Sequence, residues 1–274
     1  MKIADSKKIN ILFIGDIFGK SGMKMIENHL EDLKKTYQID FVVAQSENVS
    51  GRKGLIPKDY EKLKKIGIDA FTLGNHVWAK EEILTIIDNN DIIRPLNIND
   101  EYPGQGSRVF KLDNNLELRI TTLLGIGFNP LNLPWKQCKA NNFFDAIDKV
   151  IETNQADFHV IDFHAETTSE KNVLALYLDG KADGLIGTHT HVQTNDAKVF
   201  PNNLAYITDA GMTGPANAAI GANFQEVYEK MRYDKVVAFK ASKNPAQFNG
   251  VVLQLEKNGR SKILPIQINE ENYD

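Results

Sequence analysis

The hydrophobic positions of the chain fall into short runs separated by segments with helical spacing. INILFIG (9–15), DFVVAQ (40–45) and DAFTLG (69–74) read as buried strands. Between the first two, Ile26, Leu30, Leu33 and Tyr37 recur every three to four residues, which places them on one helix face. Between the second and third, Pro57 suits a first helical position, and Tyr60, Leu63 and Ile66 supply the buried stripe. Strand and helix in this alternation predict parallel βαβ units.

Beyond residue 108 the pattern changes. SRVFKL, the turn DNN and LELRITTLLG predict a hairpin. Helices over 142–154 and 170–178 lead into the strands HVIDF (159–163) and DGLIGT (183–188), and the tail reads as two hairpins, AKVF/LAYIT and GVVLQLE/SKILPIQI. The expected fold class is α/β, with two mixed sheets packed together and helices outside. With no repeat, low-complexity segment or linker, residues 1–274 are expected to form one domain.

Composition narrows the partners. A net charge of −4 over 274 residues predicts no stable nucleic-acid binding, because phosphate-backbone affinity comes from clustered Lys and Arg. Cys138 is the only cysteine, which rules out an internal disulfide or a thiolate zinc site, and a cytoplasmic protein is expected. The apolar run after the Lys7-Lys8 pair is about six residues, shorter than a secretory core, and no membrane span is expected.

The candidate chemistry lies where the strands stop. Asp16 follows the first, Glu47 and Asn48 the second, Asn75 and His76 the third, His164 follows HVIDF, and His189 and His191 follow DGLIGT. Ligands of α/β sheets bind beyond the carboxyl ends of the strands, so these clusters should share one rim. Carboxylates, amides and imidazoles without thiolates suit Zn, Fe, Mn or Co. They are too many for one tetrahedral ion and suit two ions about 3.5–4 Å apart. His189 and His191, two residues apart, should share a side of an extended segment. His29 and His159 read as ordinary helix and strand residues, and Asp162 as a support for the site.

The stretch IGDIFGKSG (14–22) superficially resembles a phosphate-binding loop. Its glycines Gly15 and Gly19 enclose one residue too few, and Asp16 would set a carboxylate against the phosphates. Beside a metal that charge is useful.

Taken together, GDIFGKSG, SENVSGRKG, LGNHVW, DFHAETTSEK, GTHTHVQT and YITDAGMTGP resemble the YmdB-like phosphodiesterases, a branch of the calcineurin-like metallophosphoesterase superfamily. The broad superfamily's D-x-H is here Asp16-Ile17-Phe18, its bridging aspartate is replaced by Glu47-Asn48, and Val77 stands where an acid often follows GNH. The resemblance implies a four-layer α/β/β/α sandwich and a binuclear site holding Fe or Mn, with Zn also fitting. It implies one metal on Asp16, Glu47, Asn48 and His191, and a second on Asn75, His164 and His189, bridged by Glu47. Asn48 is either a ligand or a phosphate contact. His76 is implied as the general acid, which suits an imidazole with an ordinary pKa of about 6.5. The implied substrate is a cyclic nucleotide, 2′,3′ or 3′,5′, opened by hydroxide held between the metals. A homo-oligomer is expected as well.

Thr188 and Thr190 are expected to support the ligands. Lys171 and Arg52 are each either a phosphate contact or a solvated charge, and Trp78, Phe128 and Trp135 either stack on a base or pack in the core. The alternatives to a diesterase are a phosphomonoesterase or nucleotidase on the same scaffold, and a regulatory or RNA-associated protein acting through a partner.

Overall fold

The computed structural model describes residues 7–113, 115–153 and 156–270. Asn114 of the hairpin turn, Asn154 at the end of the expected helix, and residues 1–6 of the amino-terminal segment lie outside that set.

Alternation along the first strand, β1 (Lys8–Ile14), sorts the molecule into layers. Ile9, Ile11 and Phe13 enter one apolar cluster, and Leu12 and Ile14 another, as the two-residue period of a strand requires. The remaining amino-terminal strands are β2 (Asp16–Ile17), β3 (Phe41–Gln45), β4 (Ala70–Thr72), β5 (Ile92–Ile93), β6 (Ser107–Lys111) and β7 (Glu117–Leu124). The later ones are β8 (Phe158–His164), β9 (Gly184–Thr188), β10 (Lys198–Val199), β11 (Ala205–Ile207), β12 (Met212–Pro215), β13 (Ala246–Glu256) and β14 (Lys262–Asn269). The helices are α1 (Gly19–Tyr37), α2 (Pro57–Ile66), α3 (Phe143–Thr153), α4 (Thr168–Leu178) and α5 (Phe224–Tyr233).

One sheet runs β2-β12-β13-β1-β3-β4-β5, with β14 pairing to β13, and the other runs β10-β11-β9-β8-β7-β6. In the first, β1, β3, β4 and β5 are parallel and β13 is antiparallel to β1. In the second, β7, β8, β9 and β11 are parallel, edged by the antiparallel β6 and β10. The three hairpins expected from sequence form as antiparallel pairs.

The two sheets face each other across a core that joins Ile11, Phe13 and Val43 to Ile120, Phe158, Val160 and Ile186. Helices α1 and α2 cover the outer face of the first sheet through Ile26, Leu30, Tyr60 and Leu63. Helices α3 and α4 cover the second through Phe143, Ile147, Leu174 and Leu178. This is the expected α/β/β/α order, and it carries the ends of β1, β3 and β4 and those of β8 and β9 to one rim. Helix α5 differs from the others in burying none of its residues. Among the described residues no helix is long and apolar enough to cross a membrane.

Phe158 is fully buried between the sheets. Phe158→Ala should cost about 3–5 kcal/mol in chemical denaturation, the range for a large core aromatic. A loss under about 1 kcal/mol, the size expected outside a packed core, would show that the sheets do not share one.

Candidate metal centre

Each of the eight residues read from the strand ends joins one hydrogen-bonded network. Glu47, just past β3 and 1% exposed, is its centre. Its Oε1 lies 3.0 Å from His76 Nδ1 and 3.1 Å from His164 Nε2, while Oε2 accepts the His76 backbone N–H at 2.7 Å. Asn75 Oδ1 is 3.0 Å from His164 Nε2, and His189 Nδ1 is 2.9 Å from the same atom. Ligand atoms of Glu47, His164 and His189 all lie within 4.8 Å of one another, a spacing that one ion can span.

Asp16 anchors the neighbouring half. Its Oδ1 is 3.4 Å from Asn48 Nδ2 and 3.6 Å from His191 Nε2, and its Oδ2 accepts the His189 backbone N–H at 3.1 Å. Asn48 Nδ2 is 3.2 Å from His191 Nε2, and Asn48 Oδ1 is 3.0 Å from His76 Nδ1, so Asn48 joins both halves to His76.

Backbone geometry makes this crowding possible. A Cβ on Gly74 would sit 2.4 Å from the His164 ring and 2.5 Å from Glu47 Oε2, so only glycine fits there. Strand β9 stops at Thr188, and His189 and His191 take left-handed backbone conformations, φ 102° and 64°. The segment is therefore not extended, and the two rings part instead of sharing a side. His189 turns to His164 and Glu166, with Nε2 3.0 Å from a Glu166 carboxylate oxygen, and His191 turns to Asp16 and Asn48.

The charges compensate one another. Burial alone would raise the pKa of Glu47, but the charges of His164 and His76 hold it well below the ordinary range. Asp16, likewise opposed by burial, is held low by its hydrogen bond and charge contact with His191. Burial disfavours a charged His164, yet Glu47 and Asp16 push its pKa up to about 9. His189 is driven down to about 3, by burial and then by the neighbouring His164. In the metal-free protein the positive charge that these carboxylates require thus sits on imidazoles. Oxygen and nitrogen donors around two buried anions are the chemistry of a divalent-metal site, and the residues fit one.

The supporting shell departs from expectation at Lys171. It is no phosphate contact: buried beneath the loop, its Nζ donates to Thr188 O at 2.9 Å and to Asp209 Oδ2 at 3.0 Å. Asp209 Oδ2 also accepts the Thr190 N–H, so this pair braces the turn carrying both histidines. Thr188 Oγ1 bridges His164 Nδ1 to Asp162, as a support should. Trp78 and Trp135 pack with Tyr102, and Trp135 donates to Asn75 O, so they belong to the structure rather than to a base site. Phe128 is exposed. His159 is buried with its ring on Thr121, outside the network. Two residues that the sequence reading passed over had a signal. Glu166 is two positions beyond ligand candidate His164, and Asp209 follows the end of β11.

Two facing mixed sheets with this donor set at their carboxyl rim define a phosphate-ester hydrolase of the metallophosphoesterase fold. The chain belongs to the YmdB-like protein family, whose sequence profile matches residues 12–266. It is 37% identical over 269 residues to the 2′,3′-cyclic-nucleotide 2′-phosphodiesterase of Bacillus subtilis, covering 96% of this chain and 98% of that protein. A crystal structure of a novel phosphatase from Mycoplasma pneumoniae matches with a TM-score of 0.90 and 38% identity, covering 98% of this chain and 96% of that one. The NAD nucleotidase of Haemophilus influenzae matches at a TM-score of 0.61 and 14% identity, covering 97% of this chain and 57% of that one, a likeness of fold.

Two outcomes follow from this site. Lys171→Met leaves Asp209 buried without its cation and should cost about 3–5 kcal/mol in denaturant unfolding; a change below about 1 kcal/mol, the worth of an exposed pair, would show that the pair braces nothing. His164 has a folded pKa raised above its unfolded value, so in metal-free protein its stabilisation is complete below about pH 6.5 and is lost as pH rises through about 9. The melting temperature of chelator-treated protein should therefore fall across that window. A flat profile would contradict the His164–Glu47 pairing.

Proposed function

We propose that this chain is a binuclear-metal phosphodiesterase acting on cyclic nucleotides, either 2′,3′ or 3′,5′. The observation that carries this reading is the single network joining two buried carboxylates, two amides and four imidazoles from five strand ends. Asp16, Glu47, Asn48 and His191 would hold one ion, and Glu47, Asn75, His164 and His189 the other, Fe or Mn ahead of Zn. Such a pair supplies water activation at neutral pH and neutralises charge on the phosphoryl oxygens. The 2′,3′ preference is supported by the name of the Bacillus relative, which shares most of its length with this chain. The core shared by strands from both halves supports one domain spanning the chain.

The protein's own groups divide the remaining work. His76 Nδ1 faces two acceptors, Glu47 Oε1 and Asn48 Oδ1, each at 3.0 Å, so that nitrogen carries a proton. As the general acid, His76 would protonate the leaving oxygen, and the backbone N–H bond to Glu47 fixes where the ring stands. His189 and His191, set by Asp209 and Ile220, keep their donor atoms in place. Arg52 and His76 line the same cavity, where a cation favours an anionic substrate.

The test is hydrolysis of bis-p-nitrophenyl phosphate and p-nitrophenyl phosphate by protein stripped of metal and then reconstituted with Mn or Fe. The diester should be turned over only with metal and in preference to the monoester. His76→Ala should lower kcat by roughly 10²–10⁴-fold, the range for a lost general acid. Preference for the monoester would move the assignment to a phosphomonoesterase. No turnover with either metal would remove the hydrolytic reading proposed here.

A further inference from the structure

Beside the metal centre lies a cavity of about 670 Å³ whose walls are of two kinds. One side is the site itself: Asn48, His76 and His191. The facing side is apolar and comes from the segment around α5, chiefly Ile220, Phe224, Val227, Tyr228, Met231 and Phe239. Phe18 also lines the cavity, edge-on to the His191 ring at 5.7 Å. Arg52 and Lys53 stand on the same lining, with the Arg52 guanidinium 5.4 Å from the centre of the Phe239 ring.

This wall is costly if nothing covers it. Phe224 is 67% exposed, Ile220 58% and Met231 84%, next to a centre built of buried charge. Phe224 and Tyr228 already stack on each other, with centroids 5.3 Å apart and planes 25° apart. A ligand that suits the cavity must present an apolar flat face to α5, a polar edge to solvent and an anion to the histidines and Arg52. The volume is within the range of pockets that enclose drug-sized ligands, about 300–1,000 Å³.

We propose that the α5 wall is a nucleobase subsite, with Phe224 and Tyr228 as the specificity-determining aromatics. The proposal rests on the phosphodiesterase reading above. His76 lines the cavity, so the part of the substrate attached to the leaving oxygen occupies it, and a nucleoside is the group whose ring has both the flat faces and the polar rim that the walls match. Stacking on aromatic side chains is tolerant of base identity, so the subsite favours nucleosides as a class over phosphodiesters that lack a base.

The test compares adenosine 2′,3′-cyclic phosphate with the base-less methyl riboside 2′,3′-cyclic phosphate. Wild-type, metal-reconstituted protein should favour the adenosine substrate in kcat/KM by roughly tenfold or more, through KM, and Phe224→Ala should bring that ratio close to one. Adenosine binding to metal-free protein, followed by equilibrium dialysis, should weaken in the same variant by a similar factor. Tyr228→Ala should repeat both results; because α5 buries no residue, neither substitution removes core. If both substrates are hydrolysed with an equal ratio in wild type, or with a ratio unchanged in the variants, the subsite is refuted and the diesterase reading stands. An unchanged ratio accompanied by a smaller particle on size-exclusion chromatography would identify the wall as an interface between copies and likewise refute it. Hydrolysis of neither substrate would overturn the 2′,3′ form of the diesterase reading, and adenosine binding would then decide the subsite, an affinity equal in wild type and Phe224→Ala refuting it.

Discussion

Carboxylates taken out of water must find positive charge close by, and in this protein two of them, Asp16 and Glu47, are buried on the rim where the two sheets meet. Most of what is unusual nearby answers that requirement. Imidazoles from three separate strand ends approach within 3.0–3.6 Å of the two acids. Glycine stands at Gly74 because His164 and Glu47 leave no room for a side chain. A buried lysine is used to hold the histidine turn, and its own carboxylate partner, Asp209, has its pKa raised by burial against the pull of Lys171. A centre that keeps acids ionised in the absence of metal is already shaped electrostatically for cations. The acids raise the pKa of both His164 and His191, and because an imidazole must be neutral to bind a metal, metal affinity at this centre would depend on pH.

The candidate ligands were legible in sequence because each lies immediately after an apolar run, and the rule that α/β sheets bind at their carboxyl edge gathers such residues without any knowledge of pairing. The layers were legible for a similar reason, since period-two and period-3.6 patterns each report one buried face. What was not legible depends on contacts far apart in the chain. Lys171 sits in TTSEK among polar neighbours and looks solvated; only the arrival of Thr188 O and Asp209 from other strands buries it. Trp78 and Trp135 have the composition of a base platform, but Tyr102 from a distant loop claims them both. The short strands β2, β5 and β12 hold too few residues to show a period. Helix α5 is a different case: Phe224, Val227, Tyr228 and Met231 repeat at three- and four-residue steps, a stripe that sequence could have shown.

The departure of Asp16-Ile17-Phe18 from the superfamily's D-x-H acquires a physical meaning in this setting. A phenylalanine where a ligand histidine is usual removes a donor from the Asp16 side and places an apolar ring edge-on to His191. On that side Asn48 lies within hydrogen-bond reach of both Asp16 and His191. The same ring lines the cavity toward α5, and a Cβ on Gly221 would come within 2.8 Å of it. Position 18 thus adds an apolar ring to the neighbouring cavity where the superfamily pattern would put an imidazole.

The histidine turn shows how the fold secures a geometry that its local sequence does not favour. Left-handed conformations at non-glycine residues cost on the order of 1–3 kcal/mol each, and His189 and His191 both adopt one. In an extended strand the two rings would project to the same side. With the turn, one ring goes to His164 and the other to Asp16, which separates them. The cost is offset by bonds that exist only in this arrangement: His189 N–H to Asp16, Thr190 N–H to Asp209, and the His191 ring to Ile220 O. Two of these acceptors are acids whose own burial requires such donors. The strain that divides the histidines and the charge that must be compensated are thus satisfied by the same contacts, so neither can be relaxed without exposing the other.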